Sequence, residues 1–445
     1  MFFTIALRNL IQARRRTAVL AFALAMVTML LVLLLALSAG ISDTMIRSVT
    51  ILSTGHVNVG GFFKAKPSDV APVVKDAKRL AADVNSLIPP GARVASRTRG
   101  FGRIISPTTS IQVGMTGIDV AQERAFVDRI RLAPVSEYRD GGPDEFEGDV
   151  ARLDEPRSAL LFSAQAKRLG VRVGDRLTVV AETPQGARNS ADITVVAVAK
   201  DIGFLSNFSI FVHEDVVREV YALDDDVTGV FQVYLSDHRD SVEVMEVIRD
   251  GLRRKGYDVM AHEPVPFFTK FGPISGQGWT GQKLDLSTWK DEVLFLTWVL
   301  TAVDTVSFAL VSILVVLIGI GVMNSMWISV RERTAEIGTL RAIGMGRSSV
   351  LGMFVIEAVL LGAFSTSVGA FAGGLVATGL DLWSPRIPSD AIQAILMSEH
   401  LHMVVRPTQM LAAVGAFTLL AVLAALLPAY RASRLEPITA IHHIG

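Results

Sequence analysis

The segment VRERTAEIGTLRAIG, residues 330–344, lies between two long apolar segments of the chain. Its Arg and Glu side chains are too costly to bury in hydrocarbon, so the segment is predicted to lie at a membrane surface. Glu332 and Glu336 stand one helical turn apart, and the apolar residues of the segment also follow helical spacing. We therefore expect a short surface helix with a charged face directed at a partner.

The composition indicates membrane spans joined to a water-soluble domain. Of the 445 residues, 50% are hydrophobic and 19% are charged, and the mean hydropathy is +0.43. The formal net charge is zero, so no bulk field draws the chain to nucleic acid, which is not expected as a partner. Cysteine is absent, which excludes disulfides, thiolate metal sites and a Cys nucleophile.

Four segments are long and apolar enough to cross a bilayer as helices. We place transmembrane helices at 17–40, 293–328 (with a stalk at its start), 349–380 and 408–428. The first could instead be a cleaved signal peptide, with Arg14 to Arg16 before it and Leu37-Ser38-Ala39 as the cleavage site. Its apolar run exceeds the roughly 7–15 residues of a signal peptide, which favours a retained helix.

Arginine at the span ends predicts the orientation, because Lys and Arg accumulate on the cytoplasmic side. The arginine-rich flanks are Arg8 and Arg14–Arg16 before the first span, Arg331, Arg333, Arg341 and Arg347 between the second and third, and Arg431 and Arg434 after the fourth. All of them share the cytoplasm if both termini are inside. A multi-pass membrane protein is then expected, with residues 1–16, a surface helix at 329–348 and a tail at 429–445 on the cytoplasmic side. Residues 41–292 and the loop 381–407 are expected to lie on the outside.

The outside region predicts an α+β domain of two subdomains. Alternating strands and two helical patterns, Asp69 to Leu87 and Ser241 to Lys255, assign 41–118 and 227–266 to one strand-helix-strand subdomain. Residues 119–226 are predicted to be an inserted subdomain with its own sheet, and 267–292 a return loop or stalk. The expected fold class is thus an α-helical membrane bundle of four transmembrane helices plus an α+β extracytoplasmic domain.

Two features of the third span call for an explanation. Glu357 is an ionisable group at membrane depth, read either as a polar contact that shifts between states or as a side chain that reaches the cytoplasmic water. A stripe of small residues follows at intervals of four, which predicts close packing against a neighbouring helix. Its members are Ser365, Gly369, Gly373 and Ala377.

Motifs for enzyme chemistry are missing from the sequence. Gly251 and Gly256 have the spacing of a phosphate-binding loop, but Tyr257 follows where that loop needs Lys. There is neither a His-Glu-x-x-His motif nor a Gly-x-Ser-x-Gly elbow. We expect no catalytic residue, no metal site and no cofactor bound by this chain, and no ATP hydrolysis by the chain itself.

Several blocks resemble the FtsX-like permease family of ABC transporters, of the MacB and LolC/LolE type. They are Ala6 to Leu10 with Arg15-Arg16-Thr17, Arg331 to Gly344, Glu357 early in the third span, and the closing motif Leu427 to Ile438 with Pro428, Arg431 and Pro437. The region from Gly55 to Asp175 is similar to the MacB-type periplasmic core. The resemblance implies a permease that works as a dimer, with a second copy or a homologous permease, on a cytoplasmic ABC ATPase dimer that carries ATP and Mg²⁺. It also implies a bacterial inner-membrane location, an amphipathic helix at 1–16, and a periplasmic location for residues 41–292 and 381–407.

By this resemblance the surface helix couples the permease to the ATPase. The coupling residues are Arg331, Glu332, Arg333, Glu336, Ile337, Gly338, Leu340, Arg341 and Gly344. Among them Arg333, Glu336 and Arg341 are expected to make ionic contacts with the ATPase, while Ile337, Leu340 and Ile343 hold the helix to the bundle. The alternative is a plain polar loop, which would explain the arginines but neither the two Glu residues nor the apolar spacing.

Three functions follow as hypotheses. The first is mechanotransmission, in which ATP hydrolysis drives periplasmic conformational work for lipoprotein release or for export of a hydrophobic or peptide cargo, with a periplasmic carrier or adaptor and membrane lipid as further partners. The second is a regulator that activates a periplasmic cell-wall hydrolase or a signalling partner without transport. The third, a membrane-tethered enzyme, lacks a reactive group of residues.

Overall fold

The computed structural model describes residues 8, 14–67, 70–183, 187–202, 205–389, 392–393, 396 and 398–434. The chain divides into two compact units. The membrane unit comprises Met1–Asp43, Val299–Arg386 and His400–Gly445, and the soluble unit comprises Thr44–Trp298 and Ile387–Glu399. Most of the predicted N-terminal amphipathic helix, the end of the predicted tail and Pro437 lie outside the described residues.

The α-helices among the described residues are α1 Arg14–Leu52, α2 Ala77–Asn85, α3 Arg124–Arg129, α4 Val135–Tyr138, α5 Ser163–Leu169, α6 Leu205–Phe208, α7 Glu214–Tyr221, α8 Ser241–Arg254, α9 Phe271–Ser275, α10 Trp289–Glu292, α11 Leu294–Glu332, α12 Thr334–Ala342, α13 Arg347–Trp383 and α14 Pro407–Ser433. Short 3₁₀ turns lie at Val150–Asp154, His238–Asp240 and Phe267–Lys270.

The strands are β1 Val57–Lys64, β2 Val70–Ala71, β3 Val74–Lys75, β4 Arg93–Ile105, β5 Ser110–Ile118, β6 Ser158–Phe162, β7 Arg176–Glu182, β8 Arg188–Ala199, β9 Ser209–His213, β10 Val227–Thr228, β11 Val230–Tyr234 and β12 Gly281–Thr288.

Four helices of the described chain, α1, α11, α13 and α14, are long and apolar enough to cross a membrane. Within the membrane unit they share a core in which Leu24, Val322, Phe354 and Phe417 are buried. Their outer surfaces carry large exposed apolar side chains, which is the pattern expected of lipid-facing helices. The predicted fold class, a four-helix membrane bundle with an α+β domain, is confirmed.

The first half of the soluble unit is an antiparallel sheet in the order β12-β1-β11-β4, with β2 beside β1. Helices α2 and α8 cover one face, where Leu80 and Val84 of α2 meet Met245 and Ile248 of α8 in a common core. Because the same sheet pairs strands from both ends of the region, residues 57–97 and 227–288 fold together.

The second half is a closed ring of strands. The sheet continues from β4 through β5, β9, β6, β8 and β7, and β7 pairs back onto β4. Ile104, Met115, Leu161, Val179 and Ile210 fill the interior with other apolar side chains. Closure leaves no exposed edge between these strands.

Three sequence-based boundaries need correction. The region 267–292 was predicted to be a loop or stalk, but Gly281–Thr288 pairs with β1 over eight residues, and Leu284 and Leu286 enter the core. The insertion was predicted to begin at 119, but Ile104 to Met115 already lie in the second core. The helix predicted from Asp69 begins only at Ala77 because β3 precedes it.

Candidate functional site

The predicted surface helix is present but shorter than expected. Helix α11 continues to Glu332, Arg333 breaks the helical backbone with φ −106° and ψ 18°, and α12 covers Thr334–Ala342. Gly344 then adopts φ +102°, and the Met345 amide donates to the Leu340 carbonyl at 3.0 Å. A left-handed glycine is a common helix stop, so α12 is a single compact element between two spans.

Three contacts hold α12 to the ends of the spanning helices. Ile337 is only 1% exposed and belongs to the bundle core. Just before α12, Arg333 Nη1 lies 3.4 Å from Glu357 Oε2 on α13. Near its end, Arg341 Nη1 donates to the Ser433 carbonyl at the end of α14. The segment around α12 thus contacts both later spans, α13 and α14.

The outward face of α12 and residues just before this helix are exposed. Arg331, Glu332 and Glu336 are exposed, as is Gly344, while Gly338 is buried and Leu340 is half-buried. The expectation that Arg333 and Arg341 face the ATPase does not fit this structure, in which both arginines bind the bundle instead. Ile343 was expected to be an anchor but is 77% exposed. The exposed charges on α12 and just before it are thus one arginine, Arg331, and two glutamates, Glu332 and Glu336.

Glu357 is buried and paired, not extended to water. Its side chain is 5% exposed, and that of Arg333 is 11% exposed. A cavity of about 20 Å³ adjoins the carboxyl group and is lined also by Thr17, Ser325 and Ser329. That volume suits about one water molecule with polar neighbours. The structure thus places the Glu357 carboxylate beside Arg333, the residue that precedes α12, which supports the reading of Glu357 as a polar contact.

The small-residue stripe of α13 faces α1. A methyl group built on Gly369 would lie 2.2 Å from the Ala25 carbonyl oxygen, and one on Gly373 would lie 2.9 Å from that of Met29. Ser365 and Ala377, the remaining members, are buried. The stripe therefore serves contact between two helices of the same chain, because only glycine lets the backbones come this close.

The closing motif packs at the same end of the bundle as α12. Pro428 is buried within α14. The Arg431 guanidinium lies 5.0 Å from the centre of the Trp327 ring of α11, a cation–π distance. Arg431 thus links the end of α14 to α11, the helix that precedes α12.

Buried charges of the soluble unit escaped the sequence reasoning. Arg97 is fully buried, and Lys270 and Asp285 are 3% and 2% exposed. The only local signal was a charged residue inside an otherwise strand-like pattern, and its partner lies far away in sequence. No group of three or more metal-ligating side chains occurs among the residues that the structure describes.

Comparison with known proteins agrees with this geometry. Residues 307–437 match the family model described as FtsX-like permease C-terminal. The macrolide export ATP-binding/permease protein MacB of Agrobacterium fabrum is 36% identical over 135 residues, which is 30% of this chain and 18% of that protein. MacB 2 of Aeromonas hydrophila is 33% identical over 142 residues, 32% of this chain and 20% of that protein. The matched stretch thus spans about a fifth of the length of these relatives.

Solved structures of soluble regions show remote similarity. The periplasmic region of MacB from Actinobacillus actinomycetemcomitans aligns with a TM-score of 0.29 at 14% identity, covering 46% of this chain and 86% of that one. The extracellular domain of the transporter YknZ from Gram-positive bacteria aligns with a TM-score of 0.28 at 12% identity, covering 44% and 94%. The C-terminal region of this chain, residues 307–437, is thus similar to the FtsX-like permease family, and the described part of the chain holds four helices long and apolar enough to cross a membrane.

Proposed function

We propose that the chain is the permease subunit of an ABC transporter and that it converts ATP hydrolysis on a separate ATPase into movement of its soluble unit. One observation carries the proposal. Helix α12 presents Glu336 outward, close to the exposed Glu332 at the end of α11. Ile337 and the contacts of Arg333 and Arg341 fasten the other side of α12 to the bundle. A helix held in this way transmits a push from a bound partner and does not yield like a loop.

The partner is an ABC ATPase dimer that supplies ATP and Mg²⁺. The exposed Glu336 of α12, with Glu332 at the end of α11, offers acidic groups to basic side chains of such a partner. The motif for phosphate binding is missing from the sequence, and this supports hydrolysis on the partner. We further propose that two permease copies work on one ATPase dimer, with both termini and α12 in the cytoplasm, as the arginine-rich flanks favour.

The cargo class is hydrophobic or amphipathic. The relatives are named for macrolide export, and a lipoprotein or hydrophobic peptide shares the need to be moved away from a membrane surface. A large soluble unit built of two halves suits conformational work of this kind. Periplasmic carriers or adaptors are the corresponding partners on that side.

The test reverses one charge on α12. We expect Glu336→Lys to insert and fold normally but to abolish stimulation of the co-expressed ATPase, because it turns an attractive contact into a repulsive one. Glu263→Lys, an exposed charge reversal in a loop of the soluble unit, serves as the control. ATPase rate and recovery of the ATPase with the purified permease are measured in membranes. Unchanged coupling in Glu336→Lys would refute the role of α12.

Sidedness is tested separately with single cysteines, which is clean because the chain has none. Glu336→Cys should react with membrane-impermeant maleimide only from the cytoplasm, and Arg168→Cys in the soluble unit only from outside. The reverse labelling pattern would contradict the proposed orientation.

A further inference from the structure

One arginine binds the end of α1 where that helix enters the soluble unit. Arg97 Nη1 donates to the Leu52 carbonyl at 3.0 Å, and Nη2 donates to the Ile51 carbonyl at 2.7 Å. These carbonyls belong to the last turn of α1, which has no helical donors left for them. A buried cation at a helix C-terminus also interacts favourably with the helix dipole.

The same guanidinium joins α1 to two other segments. Arg97 Nε donates to Glu123 Oε1 at 2.9 Å, and Nη2 lies 3.3 Å from the Tyr234 hydroxyl. Glu123 follows β5 in the second half of the soluble unit, and Tyr234 ends β11 in the first half. Burial raises the pKa of Tyr234 to about 12, so its hydroxyl stays protonated.

The position of Arg97 in β4 is as informative as its bonds. Arg97 pairs with Val230 of β11, and the next residue, Thr98, pairs with Gly117 of β5. Arg97 thus stands where β4 passes from the sheet of the first half to the ring of the second. Any force on its side chain acts on both halves at once.

A second arginine steadies the preceding turns of α1. Arg129 at the end of α3 donates from Nε to Ser48 Oγ at 3.1 Å and from Nη2 to the Thr44 carbonyl at 3.4 Å. Both arginines come from the soluble unit, and their contacts on α1 span residues 44–52. The exit of α1 is therefore held along two turns and at its end.

We propose that Arg97 is a positioning residue that passes movement of α1 to both halves of the soluble unit; the inference rests on the proposed function. Arginine suits this task because its planar fork places five N–H donors in fixed directions. Lysine keeps the charge but cannot bind two carbonyls and a carboxylate in one plane. Arg97→Lys is therefore the informative variant.

The first measurement is hydrogen exchange of the full chain in lipid nanodiscs. In Arg97→Lys we expect the amides of residues 44–52 to exchange at least about tenfold faster, as the loss of one charge-assisted hydrogen bond implies. Arg103→Lys is the matched control, since Arg103 lies on the same strand with its side chain exposed. Exchange in Arg97→Lys equal to that in Arg103→Lys overturns the proposal.

The second measurement follows movement. Spin-label pairs Ser42→Cys with Arg168→Cys and Ser42→Cys with Glu243→Cys report α1 against the second and the first half. With the partner ATPase, wild-type distances should stay the same without nucleotide and with ATP, because α1 and both halves move together. In Arg97→Lys both distances should change with ATP or broaden, while the ATPase rate persists. Retention of wild-type distances overturns the transfer.

Misfolding is separated from uncoupling by a milder variant. If Arg97→Lys does not accumulate in the membrane, Tyr234→Phe undergoes both measurements against the same criteria. This variant removes the hydroxyl contacts with Arg97, Glu123 and Gln232 at nearly constant volume. Failure of the proposed function gives a different set of results. Glu336→Lys would then stimulate the ATPase normally. Arg97→Lys would still raise hydrogen exchange at residues 44–52, but nucleotide would change no spin-label distance, and this result would overturn the transfer of movement as well.

Discussion

The guanidinium of Arg333 lies 3.4 Å from the carboxylate of Glu357, with side chains 11% and 5% exposed. Arg333 directly precedes α12, and Glu357 lies in α13, the third span. One ion pair therefore connects the start of α12 to α13. A buried pair is costly to break, because the remaining charge stays desolvated.

Arg333→Met alone should therefore destabilise the protein by about 3–5 kcal/mol. The double variant Arg333→Met with Glu357→Leu should recover most of that stability, since no unpaired charge remains, yet its stimulation of the ATPase should stay reduced. Thermal unfolding in detergent and ATPase assays measure both. Equal stability of the single and the double variant would contradict the pairing.

Gly369→Ala should disturb the packing of α1 on α13. The added methyl group would meet the Ala25 backbone at 2.2 Å, and backbone cannot move aside as a side chain can. Gly352→Ala is the control on the same helix, because nothing lies within 4 Å of the added atom. We expect a lower unfolding temperature and weaker packing of α1 on α13 only for Gly369→Ala, measured after extraction in mild detergent. Tolerance of both substitutions would argue against close packing at this stripe.

The stability of the soluble unit should fall in acid through His56. Burial lowers the pKa of His56 from 6.5 to about 4, the nearby His238 lowers it further, and Asp237 opposes the change. The unfolded state then binds more protons between those values, so the stabilisation present above pH 6.5 is lost as the pH falls to about 4.

We expect a loss on the order of 2 kcal/mol over this range, since the imidazole is partly solvated. In His56→Gln the pH dependence should flatten, although stability at pH 7 drops because the Leu235 amide loses the Nδ1 acceptor. Hydrogen exchange of β1 and β11 between pH 7 and pH 4.5 measures this. An unchanged slope in His56→Gln would exclude His56 as the source.

Lys270 and Asp285 form a second buried ion pair. Lys270 Nζ lies 2.8 Å from Asp285 Oδ1, and the two side chains are 2% and 1% exposed. Burial raises the pKa of Asp285 despite the neighbouring ammonium group of Lys270. Lys270→Met should cost about 3–5 kcal/mol, and Lys270→Met with Asp285→Leu should recover most of it.

Lys283→Met provides the comparison, because Lys283 lies on β12, the strand that carries Asp285. Its pair with Asp258 is 3.4 Å apart and far more exposed, so its loss should cost at most about 1 kcal/mol. Chemical denaturation of the full chain in detergent measures all three variants. Equal losses for Lys270→Met and Lys283→Met would show that burial does not govern the Lys270 pair.

The sequence predicted those features that follow from local pattern. Apolar length identified the four spans. Strand β12 was missed because the Gly, Ser and Thr residues of 267–289 indicated a loop, although Leu284 and Leu286 alternate with Lys283 and Asp285. Only the pairing with Lys270 explains why Asp285 is buried. The pairing of β7 with β4 and the inward turn of Arg333 and Arg341 also depend on contacts far apart in the chain. The position of α12 was predictable, but which of its charges face outward was not.

Helix α1 runs without a break for 39 residues, about 58 Å at the usual rise per residue. A hydrocarbon core takes up only about 30 Å of such a length. The helix can therefore act as a lever: each degree of tilt about its first turn shifts its last turn by about 1 Å. A small rearrangement at one end of α1 becomes a larger displacement at the other end. The rigidity of the contacts around its last turns decides how much of that displacement is kept.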